Sequence, residues 1–169
     1  MKLIITGGTI DKIYCPELGE LGFDSSIVPQ LLKEARVDSE FDVSAPFMID
    51  SFDMNDHHRE QVLEIIMSSE DSNKILITHG TDTMVETAQF LQRRLPSEHQ
   101  KTVVLTGAMV PARMPHSDAQ FNLGFSHGTL ELLKFGVYVA MNGKVFSPST
   151  CVKNKTLGRF EQRTEKVNT

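Results

Sequence analysis

The stretch Leu3-Ile4-Ile5-Thr6-Gly7-Gly8-Thr9 places a threonine and a small-residue turn directly after an apolar run. Ile77-Thr78-His79-Gly80-Thr81 and Leu105-Thr106-Gly107-Ala108 repeat that order. Because each apolar run has the composition of a short buried strand, three strands are predicted to end in similar turns. Ligands of open parallel sheets bind outside the carboxyl ends of the strands, so we expect the three turns to line one crevice.

Strand-like and helix-like segments alternate through the rest of the chain. Apolar, β-branched runs predict strands at 3–5, 41–47, 74–77, 102–105 and 137–141, and helix-period segments occupy about 26–36, 56–69, 83–95 and 121–134. This alternation predicts an α/β fold with a doubly wound, mostly parallel sheet and helices on both faces. Asn142-Gly143 is typical of a hairpin turn, which adds a terminal β-hairpin to the sheet.

The third helix is expected to begin at Thr83, after the turn Gly80-Thr81-Asp82. Thr83 followed by Glu86 has the pattern of a capping box, in which each side chain bonds to the backbone of the other residue.

Composition and charge indicate one globular domain with a small-molecule partner. The 169 residues are 40% hydrophobic and 23% charged, which excludes collagen-like, disordered and coiled-coil classes. Seventeen Lys and Arg against 22 Asp and Glu give a net charge of -5, so neither nucleic acid nor a membrane is expected as a partner. No apolar run approaches the roughly 18 residues of a membrane span, and strand-like sequence begins right after Lys2, so we expect a cytoplasmic protein without a signal segment.

The cysteines and histidines predict no disulfide framework and no metal site. Cys15 and Cys151 are the two cysteines and lie outside any CxxC spacing, so both are expected to be reduced. Among the six histidines, His57 and His58 adjoin a predicted helix start and His79 lies in a turn, without HExxH or carboxylate spacing.

The three turns suit a carboxylate or an oxyanion, because their glycines let backbone N–H groups approach a ligand. Gly7-Gly8 does not continue into GxGxxG and the sequence has no GxxxxGK[ST], so nucleotide binding is not favoured. Two interpretations of Thr9 and Thr81 stay open. In the first, the two hydroxyls make ordinary turn and capping hydrogen bonds. In the second, a threonine hydroxyl is a nucleophile activated by a group such as Lys153 or Tyr14.

Two of the turns also carry a family resemblance. Thr6-Gly7-Gly8-Thr9-Ile10 and the stretch from Ile77 to Met84 resemble TGGTI and HGTDTM, the signature blocks of the bacterial-type L-asparaginase family. The further matches, which extend the resemblance over about residues 3–155, are Asp53-Met54-Asn55-Asp56, residues 106–111, Ser117-Asp118 and Phe121-Asn122-Leu123. The resemblance implies an asparaginase-like amino-terminal domain over 1–150. It also implies an amidohydrolase without a cofactor that converts L-asparagine, or a related small amide, to the acid and ammonia.

The resemblance assigns the reacting groups to four residues. Thr9 matches the family's nucleophilic threonine, which forms an acyl-enzyme with the amide carbon. Thr81, Asp82 and Lys153 match a hydrogen-bonded set that activates a nucleophile or water, and the aspartate also holds the substrate's α-ammonium. Lys155 is an alternative to Lys153, because the lysine match needs a gap.

Three further matches are implied around the substrate. Ser51 matches a serine that binds the α-carboxylate, and the Ala108 carbonyl matches one that receives the amide nitrogen. Tyr14 is the tyrosine nearest to the position of the family's nucleophile-supporting tyrosine. Phe52 and Val110 stand where many members carry glutamine and arginine, so we expect some substrate contacts to differ.

Family enzymes continue beyond the point that corresponds to Thr169, so the sequence predicts that the second, smaller domain is absent. The segment 151–169 is basic through Lys153, Lys155, Arg159, Arg163 and Lys166. It is interpreted either as the family's interdomain segment or as a solvated tail.

Three functions remain open at this point. The first is a threonine-nucleophile amidohydrolase of amino acid metabolism, which the family's assemblies imply to be a homodimer or a higher homo-oligomer. The second is a non-catalytic single-domain relic that binds an amino acid or a protein partner. The third is an amidotransferase subunit that deamidates glutamine for tRNA charging, which the acidic charge balance disfavours.

Overall fold

A computed structural model describes residues 1–96, 98 and 100–163. Its main sheet contains β1 (Lys2–Ile5), β4 (Asp42–Ser44), β5 (Lys74–Thr78), β6 (Thr102–Thr106), β7 (Gly136–Met141) and β8 (Lys144–Phe146). The spatial order is β4-β1-β5-β6-β7-β8, with all neighbours parallel except the antiparallel pair β7 and β8. The predicted mostly parallel sheet is confirmed.

Helices cover both faces of this sheet, as predicted. They are α1 (Val28–Glu34), α2 (Asp56–Ser68), α3 (Met84–Arg94) and α4 (Ala119–Leu132). Side chains alternate between the faces along each strand, so Ile75 and Ile77 pack with α2 and α3 while Leu76 packs with α1 and α4. Burial on both faces explains why the central strands are continuously apolar.

The terminal hairpin forms at Asn142-Gly143, which joins β7 to β8. Both residues have positive φ, 54° and 72°, as a two-residue type I′ turn requires. The predicted hairpin turn is therefore confirmed.

Two smaller hairpins lie outside the main sheet. The first, β2 (Ile13–Cys15) with β3 (Glu20–Gly22), follows β1, and the second pairs β9 (Cys151–Asn154) with β10 (Arg159–Gln162). Cys151 and Phe160 are buried in the core beside α2 and α3, so residues 151–162 are not a solvated tail. Lys166, part of the predicted basic segment, lies outside the described residues.

The start of α3 is predicted correctly, but the predicted capping box does not form. Thr83 precedes the helix without a side-chain capping bond, and its hydroxyl instead donates to the Ser51 carbonyl at 2.8 Å. Glu86 meets the Arg59 guanidinium at 3.4 Å. Partners from other parts of the chain have replaced the local ones.

A capping box forms at α2 instead. The Asn55 side chain accepts from the His58 N–H, and the His58 ring accepts from the Asn55 N–H, both at 3.2 Å. Histidine takes the place that Glu or Gln usually has in this motif, which is why its pattern is easily missed in the sequence.

Across the described ranges, no helix has both the length and the apolar character needed to cross a membrane. The same part of the chain contains no group of three His, Cys, Asp or Glu side chains placed to hold a metal ion.

The chain reverses direction across the sheet between β1 and β5. From β1 it passes through α1 to β4 on one side, and it then crosses through α2 to β5 on the other side of β1. The helices that follow β1 and β5 pack on opposite faces, which opens a crevice outside the carboxyl ends of these two strands. The first two threonine turns lie at this crevice.

Candidate active site

The second strand-exit turn touches the first and the third, and glycines make the contacts possible. A Cβ atom on Gly8, whose φ is +78°, would lie 2.3 Å from the Gly80 nitrogen. A Cβ atom on Gly107 would lie 2.3 Å from the His79 carbonyl oxygen. Side chains at these positions would collide with backbone, so glycine is required for the turns to meet.

Lys153, Thr81 and Asp82 form one hydrogen-bonded group. The Lys153 Nζ donates to Thr81 Oγ1 at 2.7 Å and to Asp82 Oδ1 at 2.8 Å. The side chains of Lys153 and Asp82 are only 15% and 24% exposed, so the ion pair is partly shielded from water. Strand β9 therefore places Lys153 in contact with the second threonine turn.

Lys155, the alternative lysine, has a different environment. It is exposed, and its Nζ lies 5.8 Å from the centroid of the Phe52 ring. The structure thus places Lys153, and not Lys155, in contact with the threonine turn.

Ser51, in the segment that follows β4, is held against the second turn. It is buried, and its Oγ accepts from the Asp82 N–H at 3.3 Å. A Cβ atom on Gly80 would lie 2.5 Å from the Ser51 Cβ atom, so the two backbones are in close contact. Ser51 and Asp82 are therefore neighbours.

Thr9 begins a single turn of 3-10 helix, Thr9–Asp11, and is half-buried. The preceding Gly8 N–H donates to the Ile49 carbonyl at 2.9 Å, and the Ile49 N–H donates to the Thr6 carbonyl at 3.2 Å. These bonds fix the Thr9 turn against the segment that leads to Ser51.

Asp11 anchors this turn to the start of α1. Its Oδ1 accepts from Ser26 Oγ at 2.7 Å and from the Ile27 N–H at 2.9 Å. Burial raises the pKa of the Asp11 carboxyl, an effect that the hydrogen bonds and the Arg113 charge oppose without cancelling.

The third turn is held by two residues of the α4 region. Asp118 Oδ1 accepts from the backbone N–H groups of Met109 and Val110, at 2.9 and 3.0 Å. The Asn122 side-chain amide donates to the Gly107 carbonyl at 3.1 Å and to Asp118 at 2.8 Å. The sequence presented Asp118 and Asn122 only as family matches. Their spacing of four residues at a helix start was the available signal for a cooperating pair.

Ala108 lies in the third turn with its side chain fully buried. Tyr14 lies in β2 with 57% of its surface exposed, and it is not part of the hydrogen-bonded group around Lys153. Its support of the nucleophile stays a prediction. Phe52, beside Ser51, is 68% exposed and flanks the site.

Sequence reasoning missed an ion pair between Lys12 and Asp50, next to these groups. Burial by itself raises the pKa of the Asp50 carboxyl, but hydrogen bonds from Lys12 and the Phe52 N–H outweigh it, together with the charges of Lys12 and Lys153. The net result is a pKa below the ordinary value, so Asp50 is ionised at neutral pH.

His79 supports the second turn from inside the core. Its Nδ1 lies 2.7 Å from the Gly80 carbonyl oxygen, and its Nε2 lies 2.9 Å from Thr87 Oγ1. Burial lowers the pKa of His79 to about 4, against the opposing effect of the Gly80 bond and with a further lowering by Arg59. The imidazole is therefore neutral, with Nδ1 as its donor to Gly80.

Protein stability is expected to fall in mild acid because of His79. The pKa of the folded state lies below the usual 6.5, so the unfolded state binds this proton more readily. The His79 contribution is complete above pH 6.5 and decreases toward pH 4, by roughly 3 kcal/mol in the free energy of unfolding.

Denaturant unfolding of the wild type and of His79→Gln between pH 7 and 4.5 measures this dependence. We expect the wild type to lose more stability than the variant over this range. The exposed His116 provides a control, because His116→Gln should keep the wild-type slope. Equal slopes for the wild type and His79→Gln would contradict a neutral buried imidazole.

The sequence matches the family model described as asparaginase, N-terminal, over residues 1–164. It is 34% identical over 170 residues to the probable periplasmic L-asparaginase of Haemophilus influenzae, covering 92% of this chain and 46% of that protein. It is 36% identical over 168 residues to L-asparaginase 2 of Escherichia coli, covering 92% and 47%. A solved structure described as a probable cytoplasmic L-asparaginase from Campylobacter jejuni superposes with a TM-score of 0.81 at 30% identity, covering 95% and 50%. The chain thus spans about half the length of the curated relatives it matches.

Proposed function

This chain belongs to the asparaginase family, and from that membership we propose that it hydrolyses the side-chain amide of L-asparagine, or of a related small amide, to the acid and ammonia. One observation carries the proposal. The Lys153 ammonium bonds to Thr81 and Asp82 beside the Thr9 turn, at the crevice where the chain reverses across the sheet. That arrangement joins a hydroxyl, a basic group and a carboxylate in the place where such sheets bind ligands.

In the proposed reaction Thr9 is the nucleophile. Its hydroxyl oxygen attacks the amide carbon while its proton passes to a basic group, which then returns this proton to the amide nitrogen. The C–N bond of the tetrahedral intermediate breaks, ammonia leaves and an acyl-threonine remains. Water hydrolyses this ester and restores the hydroxyl. Backbone N–H groups of the glycine turns are suited to stabilise the oxyanion.

Lys153 and Thr81 form the proposed proton-transfer pair. In its neutral form the Lys153 amine can accept a proton through the Thr81 hydroxyl, which it already contacts at 2.7 Å.

The substrate's amino acid portion is assigned to the second turn and its neighbours. Asp82 offers a negative charge to the α-ammonium, and Ser51, whose Oγ already contacts the Asp82 N–H, offers a hydroxyl to the α-carboxylate. The Ala108 carbonyl would receive the amide nitrogen. The second turn contacts both the first and the third, which supports the binding of both ends of a small amide at once.

The proposal extends to the state of the protein. We place the asparaginase-like amino-terminal domain at residues 1–150, and the following strand β9 adds Lys153 to its site. We further propose that the protein is cytoplasmic and forms a homodimer or a larger homo-oligomer. One solved relative is named cytoplasmic and one curated relative periplasmic, and the two cysteines here are free thiols. Burial raises the pKa of the Cys151 thiol to about 12, which keeps it protonated.

Ammonia release from a panel of amides tests the proposal. We expect the wild type to release ammonia from L-asparagine at a rate at least tenfold above its Thr81→Val variant, because that change removes the hydroxyl that contacts Lys153. L-glutamine and longer amides define the range of substrates. Binding of an amino acid without ammonia release would instead support the relic, and release only from glutamine would support the amidotransferase.

A further inference from the structure

We propose that the ion pair of Lys12 and Asp50 is a clamp that fixes the Thr9 turn against the turn from Asp50 to Asp53, here called the Ser51 turn. The two residues would thereby position the nucleophile and the carboxylate-binding serine relative to each other. The inference rests on the proposed function for its catalytic consequence, but the clamp itself is a property of the fold.

Lys12 is attached directly to the Thr9 turn. Its N–H donates to the Thr9 carbonyl at 3.2 Å, which closes the single 3-10 turn, and the chain then enters β2. From this position the Lys12 Nζ reaches Asp50 Oδ2. Any displacement of the Thr9 turn must therefore move Lys12 with it.

Asp50 is attached in the same way to the Ser51 turn. Its Oδ1 accepts from the Phe52 N–H at 3.0 Å, and its carbonyl accepts from the Asp53 N–H at 3.0 Å. Ser51 lies inside this turn. One carboxylate oxygen thus shapes the Ser51 turn while the other binds Lys12.

The surroundings make this pair stronger than an ordinary surface ion pair. The Lys12 and Asp50 side chains are 21% and 28% exposed, so water screens their attraction only in part. The Lys153 charge also acts on Asp50, and Lys153 is bonded to Asp82. Charges therefore alternate in sign through the site, and loss of one member leaves another uncompensated.

Lys2 and Asp42 provide a matched control. They also form a lysine–aspartate pair between β1 and β4, at 2.8 Å, but at the opposite ends of these strands from the threonine turns. A general effect of removing a lysine that links two segments should appear in Lys2→Met as well, whereas positioning should appear only at Lys12.

The experiment compares Lys12→Met, Asp50→Asn, Lys12→Arg and Lys2→Met with the wild type, at a temperature where all five proteins are folded. The first readout is amide hydrogen exchange at Gly8, whose N–H bonds to Ile49 across the two turns. The second is kcat and KM for L-asparagine. We expect Lys12→Met and Asp50→Asn to speed Gly8 exchange and to lower kcat/KM about tenfold, because small misplacements of reacting groups are costly. Lys12→Arg should keep most of the wild-type Gly8 protection and kcat/KM, and Lys2→Met should behave as the wild type.

Unchanged Gly8 exchange in both Lys12→Met and Asp50→Asn would overturn the clamp, whether or not the protein has activity. Faster exchange with unchanged kcat/KM in variants of an active wild type would overturn the positioning role, because the clamp would then exist without placing the reacting groups. A wild type that releases no ammonia would refute the proposed function separately. Gly8 exchange would still decide whether the clamp exists.

Discussion

Replacing Thr9 by alanine is expected to lower kcat for ammonia release by a factor of at least about 10³, because the proposed acyl-enzyme route begins with the Thr9 hydroxyl. Removal of a catalytic nucleophile can cost on the order of 10⁶ in kcat, so the expected loss is conservative. The Thr9 turn should survive the change, since the backbone bonds of Gly8 and Lys12 hold it. KM should change much less than kcat.

Two variants separate this chemistry from damage to the turn. Thr9→Ser keeps a hydroxyl and should retain measurable activity. Thr6 is the matched control, because its hydroxyl donates to the Thr78 carbonyl at 2.9 Å and is thus occupied structurally. Thr6→Val should lower thermal stability while leaving most of kcat. Residual activity of Thr9→Ala above about a tenth of the wild type would contradict the nucleophile assignment.

The sheet and its helices could be predicted because their signals are local and repeated. Strands that are buried on both faces are continuously apolar, whereas in the helices between them apolar residues recur every three to four positions. The edge strand β4 was predicted as the longer segment 41–47, but only Asp42–Ser44 pairs. Val43 is 45% exposed at this edge of the sheet. An edge strand that is not buried has less need of apolar residues, so its sequence marks its ends poorly.

Predictions failed where a distant partner replaced a local one. Thr83 and Glu86 have the spacing of a capping box, yet they bond to Ser51 and Arg59. Lys12 and Asp50 are 38 positions apart and belong to no periodic pattern, so neither residue attracted notice in the sequence.

The site itself was only partly predictable. The threonine turns could be placed at one edge of the sheet because parallel strands end there together. The contact between Thr81 and Lys153 spans 72 positions, and only the family resemblance suggested it. The choice between Lys153 and Lys155 depended on which of the two side chains faces Thr81. That is set by the register of the β9–β10 hairpin, which composition does not reveal.

Exchange of Lys153 for methionine is expected to lower kcat by about 10² to 10⁴, the usual contribution of a general base. Methionine keeps most of the side-chain volume but cannot accept the proton that Thr9 loses in the proposed reaction. Lys155→Met is the matched control. The Lys155 ammonium contacts the Phe52 ring, an interaction worth about 0.5–1 kcal/mol at an exposed site, so its loss should change kcat/KM by no more than about fivefold.

Lys153→Arg distinguishes a base from a fixed positive charge. Arginine retains the charge beside Asp82, but its guanidinium does not lose a proton in proteins. If Lys153 transfers the proton, Lys153→Arg should be nearly as inactive as Lys153→Met, while binding of L-aspartate should stay within about tenfold of the wild type because Asp82 keeps a cationic partner. Near-normal kcat in Lys153→Arg would assign Lys153 an electrostatic role only. A larger loss in Lys155→Met than in Lys153→Met would show that the other lysine acts in catalysis. Steady-state ammonia release from the three variants, measured over a range of pH, decides among these outcomes.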